Sequence, residues 1–283
     1  MLNKKISIQI LCGLFAMCAH LSASSDSRIV TIGGAVTEMV FALGQGDSVV
    51  GVDLSSQYPA AATKLPQVGY IRAISSEGVR ALNPTHVITS SEIQPRNALE
   101  QIKASGVQVT VVEAPESIAG VNRLLVELGI VLDCETAADG LIAKLNHDLA
   151  KLAKLAQAPE VVFFMSNPGS GQLRAAGLQT KADAFITAAG GRNKVQSHSG
   201  YKHISSEALA VWQPDVILIG VAEGMPNNDV DTVNSILENP AWQNVPAVQQ
   251  GAVFVLPLGK SLNFGPRVGE ALLEANQYFT NER

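Results

Sequence analysis

Tyr70 and Arg72, two apart in Val68-Gly69-Tyr70-Ile71-Arg72, are the side chains of this chain best suited to a ferric site, the tyrosine as ligand and the arginine as its supporting cation. A phenolate is a hard anionic oxygen donor of the kind ferric iron accepts, yet a free phenol, with a pKa near about 10, stays protonated at neutral pH. An arginine close by, together with the metal, favours the ionised form. The same spacing also fits a tyrosine packed against its own loop beside a surface charge, and spacing alone leaves both readings open.

This passage has an echo. About 130 residues later comes Gly200-Tyr201-Lys202-His203-Ile204-Ser205-Ser206-Glu207, which matches the first copy's Gly69-Tyr70 and Ser75-Ser76-Glu77 with a displacement of one residue. Each copy continues into a helix, a proline (Pro84 or Pro214) and an apolar run, so two similar halves are expected, each presenting a tyrosine-bearing loop. Glu77 and Glu207 fall in the first turn of their helices, where the helix dipole favours an anion whether or not the residue has a further role. Tyr201 is the counterpart of Tyr70, and Arg174, in Leu173-Arg174-Ala175, is a further cation for an anionic ligand or an ordinary loop charge.

Other chemistries are poorly supported. Ser170 lies in Gly169-Ser170-Gly171 without the G-x-S-x-G elbow of a hydrolase. Gly33-Gly34 follows a strand, but neither G-x-G-x-x-G nor a Walker lysine accompanies it. His86 and His147 fall on regular elements. His198 and His203 share a loop, but no carboxylates cluster beside them to complete a zinc set.

The elements that must position these residues alternate. Strands are expected at Arg28 to Ile32, Val49 to Val52, His86 to Thr89 and Val107 to Val112, with helices between, which predicts an α/β lobe around a largely parallel sheet. From Ser117 to Leu132, and again from Glu135 to Gln157, the pattern is helical without a strand. Leu141, Leu145, Leu149, Leu152 and Leu155 keep three-to-four spacing through the second of these. At 1.5 Å per residue, about 23 residues give a rod of about 35 Å, long enough to bridge two lobes. A second α/β lobe follows, with strands at Val161 to Met165, Val216 to Ile219 and Val253 to Leu256, and a final helix from Pro266 to Phe279. The expected fold class is therefore α/β, with two Rossmann-like lobes, 25–132 and 159–283, joined by a long interlobe helix within 133–158 and the ligand between them.

Residues 1–24 read as a secretory signal peptide: Lys4 and Lys5 precede an apolar run from Ile6 to Ala19 and then small residues. The run is too short to span a bilayer comfortably, so cleavage near Ala23 or Ser24 is expected. Neither Cys12 nor Cys18 follows the small residue of a lipoprotein signal. Removing Lys4 and Lys5, with no acid, takes the formal net charge from −5 to −7. That charge disfavours nucleic acid and anionic membrane as partners. Beyond this segment no apolar run is long enough to cross a membrane, and a monomer is expected. Cys134 remains as a single cysteine, without an internal disulfide partner.

From Arg28 to Phe279 the chain resembles the single-helix-hinged periplasmic binding proteins that deliver cobalamin, ferric siderophores and haem to ABC importers. Leu65-Pro66-Gln67-Val68-Gly69-Tyr70-Ile71-Arg72, with Ser76-Glu77 and Leu82-Asn83-Pro84, is similar to the haem-binding members in particular. The resemblance implies that Tyr70 ligates haem iron and that Arg72 supports the phenolate or meets a propionate. Some members add a histidine just after the first strand of the second lobe; this chain has Asn167 there, so His198 or His203 is left as a substitute, and five-coordinate iron with Tyr201 as a polar or packing neighbour is the expectation. It also implies that Glu77 and Glu207 dock into arginines of an inner-membrane permease, that the protein works in the periplasm and that it is not an enzyme. Cobalamin and siderophore carriage on the same fold is the alternative, and a zinc-dependent or Rossmann-like enzyme the remote one.

Overall fold

The computed structural model describes residues 27–166, 173–222 and 228–280; the expected signal segment and Asn167 lie outside them. The chain opens with β1 (Ile29–Ile32), buried at every position, and turns at Gly33 into α1 (Gly34–Ala42). Next come β2 (Val49–Val52), the short β3 (Gly69–Tyr70) and β4 (Ala73–Ile74), and α2 (Ser76–Arg80), capped by the Ser75 hydroxyl, which accepts from Gly78 N. The first half continues with β5 (His86–Ser90), α3 (Arg96–Ala104) and β6 (Gln108–Val112). Its main sheet has the order β2-β1-β5-β6, with every neighbouring pair parallel. Continuous Val and Ile runs form β1 and β5 because both faces of a parallel sheet are covered by helices.

Between the sheets run α4 (Ile118–Val131), capped by Ser117, and α5 (Glu135–Ala150), packed on each other. The interlobe helix thus starts where the leucine spacing places it but ends at Ala150 rather than Gln157. Its sixteen residues make a rod of about 24 Å. The side chain of Asn276 stops it by accepting from Ala153 N and donating to Ala153 O, which supplies the hydrogen bonds a continuing helix would have made. Leu152 and Leu155 still pack against the core, now from an irregular segment.

The second lobe contains β7 (Glu160–Ser166), β8 (Leu173–Ala176), α6 (Lys181–Ala188), β9 (Arg192–Asn193) and β10 (Tyr201–His203). It goes on with α7 (Ser206–Trp212), β11 (Val216–Val221), α8 (Asn228–Leu237), α9 (Pro246–Gln249), β12 (Val253–Pro257), α10 (Leu258–Ser261) and α11 (Val268–Thr280). Its sheet runs β10-β8-β7-β11-β12, with β9 alongside β7. The β7-β11-β12 part is parallel, whereas β8 is antiparallel to both β7 and β10. The hairpin-like edge of β8 and β10 and the helix α8 correct the expected loops at those places.

Buried side chains fall into two clusters, but the division is not lobe by lobe. The larger joins one face of the first sheet and α1 through α4 and α5 to the whole second lobe, while the smaller covers the other face of the first sheet. In place of two separate cores, the lobes share one.

Candidate functional site

The turn bearing Tyr70 is built by four constraints. Tyr70 pairs with Ala73 across the β3–β4 hairpin, leaving Ile71 and Arg72 as its two-residue tip. Gly69 enters the hairpin at φ 113°, and a Cβ there would lie 2.9 Å from Ala73 O, so the position requires glycine. Ile71 is buried in the smaller core cluster, and its backbone is held by Gln94 N donating to its carbonyl at 2.7 Å. The fourth constraint is Asp53. Fully buried, its carboxylate accepts from Ile71 N, Gly33 N, Ser55 N and the hydroxyls of Ser55 and Ser56, at 2.7 to 3.1 Å. With Ile71 anchored, its neighbours turn outward: Tyr70 is 44% exposed and Arg72 is exposed.

On the second lobe, β10 carries Tyr201, held by Arg174 from the neighbouring strand β8. The Arg174 guanidinium donates to Tyr201 O at 3.0 Å and lies 5.9 Å from the centre of the tyrosine ring. Burial pushes the Tyr201 phenol up from its ordinary pKa, against the opposing pull of Ala182 N–H, the Thr180 hydroxyl and Arg174. The net effect of burial is to favour the protonated phenol. Thr180 also caps α6 by accepting from Asp183 N, which fixes Lys181 at the first helical position.

The two constructions meet at a cleft of about 430 Å³ lined by Tyr70, Arg72 and Tyr201. The volume is within the range of small-molecule sites. Apolar walls come from Val36, Ile71, Met165, Leu258 and Leu262, and Lys181 crosses the opening to Glu92 at 3.3 Å. Arg174 and His203 are not among the lining residues described; the strand register puts Arg174 on the same sheet face as Tyr201 and Met165, and His203 is exposed at the end of β10. His198 sits over Gly177, its Nε2 3.3 Å from Ala175 O, and among the described residues no group of three or more His, Cys, Asp or Glu side chains could hold a metal ion. Glu77 and Glu207 are exposed in the first turns of α2 and α7.

Sequence reasoning missed Asp53, Glu92 and Lys181. The Thr180-x-x-Asp183 capping pattern could have marked the helix start that presents Lys181. It also missed the pair that ties the lobes together beside the cleft. Arg267 Nε and Nη2 donate to the two Glu38 oxygens at 2.7 and 3.0 Å, with Glu38 2% exposed and the guanidinium 3.6 Å above the Tyr58 ring.

The periplasmic binding protein family profile matches residues 29–258. This chain belongs to that family. Among solved structures, the binding protein is similar to the periplasmic haem-binding protein BhuT in complex with two haems: 33% identical, TM-score 0.79, covering 90% of this chain and 98% of that one. Among curated relatives, it is 25% identical to the ABC transporter substrate-binding lipoprotein YvrC of Bacillus subtilis, over 87% of this chain and 78% of that protein. It is 26% identical to a cobalamin-binding protein of Halobacterium salinarum, over 91% of this chain and 70% of that protein. The binding protein is therefore an extracytoplasmic substrate-binding component of an ABC transporter and not an enzyme. No helix among its described residues is long and apolar enough to cross a membrane.

Proposed function

We propose that this protein carries haem in the periplasm, binding it in the cleft between its lobes with the Tyr70 phenolate on ferric iron, and delivers it to an inner-membrane ABC permease. The observation that carries this reading is the β3–β4 turn, which buries Ile71 and turns Tyr70 and Arg72 into the cleft lining. Arg72, exposed on the same turn, supplies a cation for a propionate, and Tyr201 is a polar or packing neighbour on the opposite side. Arg174 holds Tyr201 through its backbone carbonyl. Likeness to a haem-bound relative supports the choice of ligand. Burying roughly 300 Å² of apolar porphyrin surface provides about 7 kcal/mol before the costs of association.

Visible spectroscopy of the protein mixed with haemin tests the reading. Wild type is expected to give a high-spin ferric phenolate band that Tyr70→Phe lacks; an unchanged spectrum in the variant would count against it. Cobalamin is the second reading, favoured by the name of a curated relative. It predicts that cyanocobalamin binds equally to wild type and Tyr70→Phe, because cobalamin needs no phenolate ligand.

A further inference from the structure

Among the described residues, the charged side chains lining the cleft are Arg72, Glu92, Glu116 and Lys181. Two of them already touch: Lys181 Nζ lies 3.3 Å from Glu92 Oε1, joining the second lobe to the first between residues 89 apart in the chain. Both side chains are partly exposed, so the contact is weak and exchangeable rather than a structural weld. Its place on the wall of the cleft gives it a chemical consequence. A neutral ligand filling the space must leave the pair standing or separate two charges without recompense. A ligand bearing a carboxylate replaces the Glu92 oxygen with its own, keeps Lys181 paired and frees Glu92 to water.

We propose that Lys181 is the specificity-determining cation of the cleft: it takes a carboxylate of the ligand by exchange with Glu92, which holds the ammonium in place until the ligand arrives. This rests on the haem reading, in which the carboxylates are the two propionates. The pair then acts as a selectivity device of the kind that penalises the wrong ligand as well as rewarding the right one. Glu92 also competes with the propionate and repels it, so its neutralisation strengthens binding.

The test is titration of wild type, Lys181→Gln, Lys181→Arg and Glu92→Gln with haemin and with haemin dimethyl ester, whose propionates are uncharged. With haemin, Lys181→Gln is expected to weaken binding about tenfold, Lys181→Arg to restore most of it, and Glu92→Gln to tighten it about threefold. With the ester, which gains nothing from the ammonium, neither Lys181→Gln nor Glu92→Gln weakens binding. Equal losses on haemin and ester in Lys181→Gln would reduce Lys181 to a packing role and overturn the proposal, as would weaker haemin binding in Glu92→Gln or no change in either variant. Failure of wild type to bind haemin at all would overturn the haem reading and this proposal with it, whereas wild-type binding with unaltered variants overturns this proposal alone.

Discussion

Gly69 is the residue on which the geometry of the tyrosine turn depends. Its φ of 113° is open to glycine but strained for any side chain, and a methyl group there would press on Ala73 O. Gly69→Ala is therefore expected to cost about 2 kcal/mol of stability, read by urea denaturation, and to weaken haemin binding in spectral titration by displacing Tyr70. At this scale the sequence was informative wherever the functional group and its support are adjacent. Val-Gly-Tyr-x-Arg shows both the side chains and the glycine that shapes their turn. It was silent where support comes from afar: Asp53 reaches the turn across 18 residues and Glu92 meets Lys181 across 89. A carboxylate after a strand has no periodic signature, and only the folded chain reveals what it accepts.

Helices and central strands were legible because burial imposes a period on them. β1, β2, β5, β7, β11 and β12 are the Val- and Ile-rich runs, and α5 is announced by its leucines. The misses have local causes. The two to four residues of β8, β9 and β10 are too few to display an alternation, and the strands depend on cross-strand partners. The Asn-Asp start of α8 resembles a turn, although Val233, Ile236 and Leu237 keep a helical spacing against the core. The end of α5 is decided by Asn276, 123 residues away from Ala153. The same helix is fastened to α11 by charge: Lys144 Nζ lies 2.9 Å from Asp148 and 2.8 Å from Glu270, and Lys151 reaches Asp148 at 3.2 Å. The Lys144 hydrogen bond, outweighing burial, holds the Asp148 carboxyl below its ordinary pKa. A carboxylate depressed in the folded state contributes stability above its unfolded pKa, about 4, and that contribution fades as pH falls through the lower folded value. Lys144→Met is expected to flatten this part of the acid dependence, measured as the thermal midpoint between pH 5 and pH 2.

At the scale of the molecule, the repeat read in the sequence corresponds to two lobes with similarly placed acidic first turns. Glu77 on α2 and Glu207 on α7 are both exposed, one on each lobe, and a contact at two such points would orient the cleft over a permease and speed encounter. Reversing both, Glu77→Lys with Glu207→Lys, is expected to abolish ligand uptake by cells while leaving the haemin titration of the purified protein unchanged. Loss of both would assign the glutamates to the fold instead. What the repeat did not disclose is how firmly the halves are joined. The shared core and the Glu38–Arg267 pair, stacked on Tyr58, fix the spacing of the walls. Removing one partner of so buried a pair strands a charge, which costs several kcal/mol, and with the shared core it leads us to expect little movement of the lobes on binding, measured by small-angle scattering with and without haemin. A jaw of fixed gauge would sort cargo by thickness, with a flat disc expected to enter more readily than a bulky globe. It also has no spring with which to eject what it holds, so the work of unloading falls on the transport machine it meets.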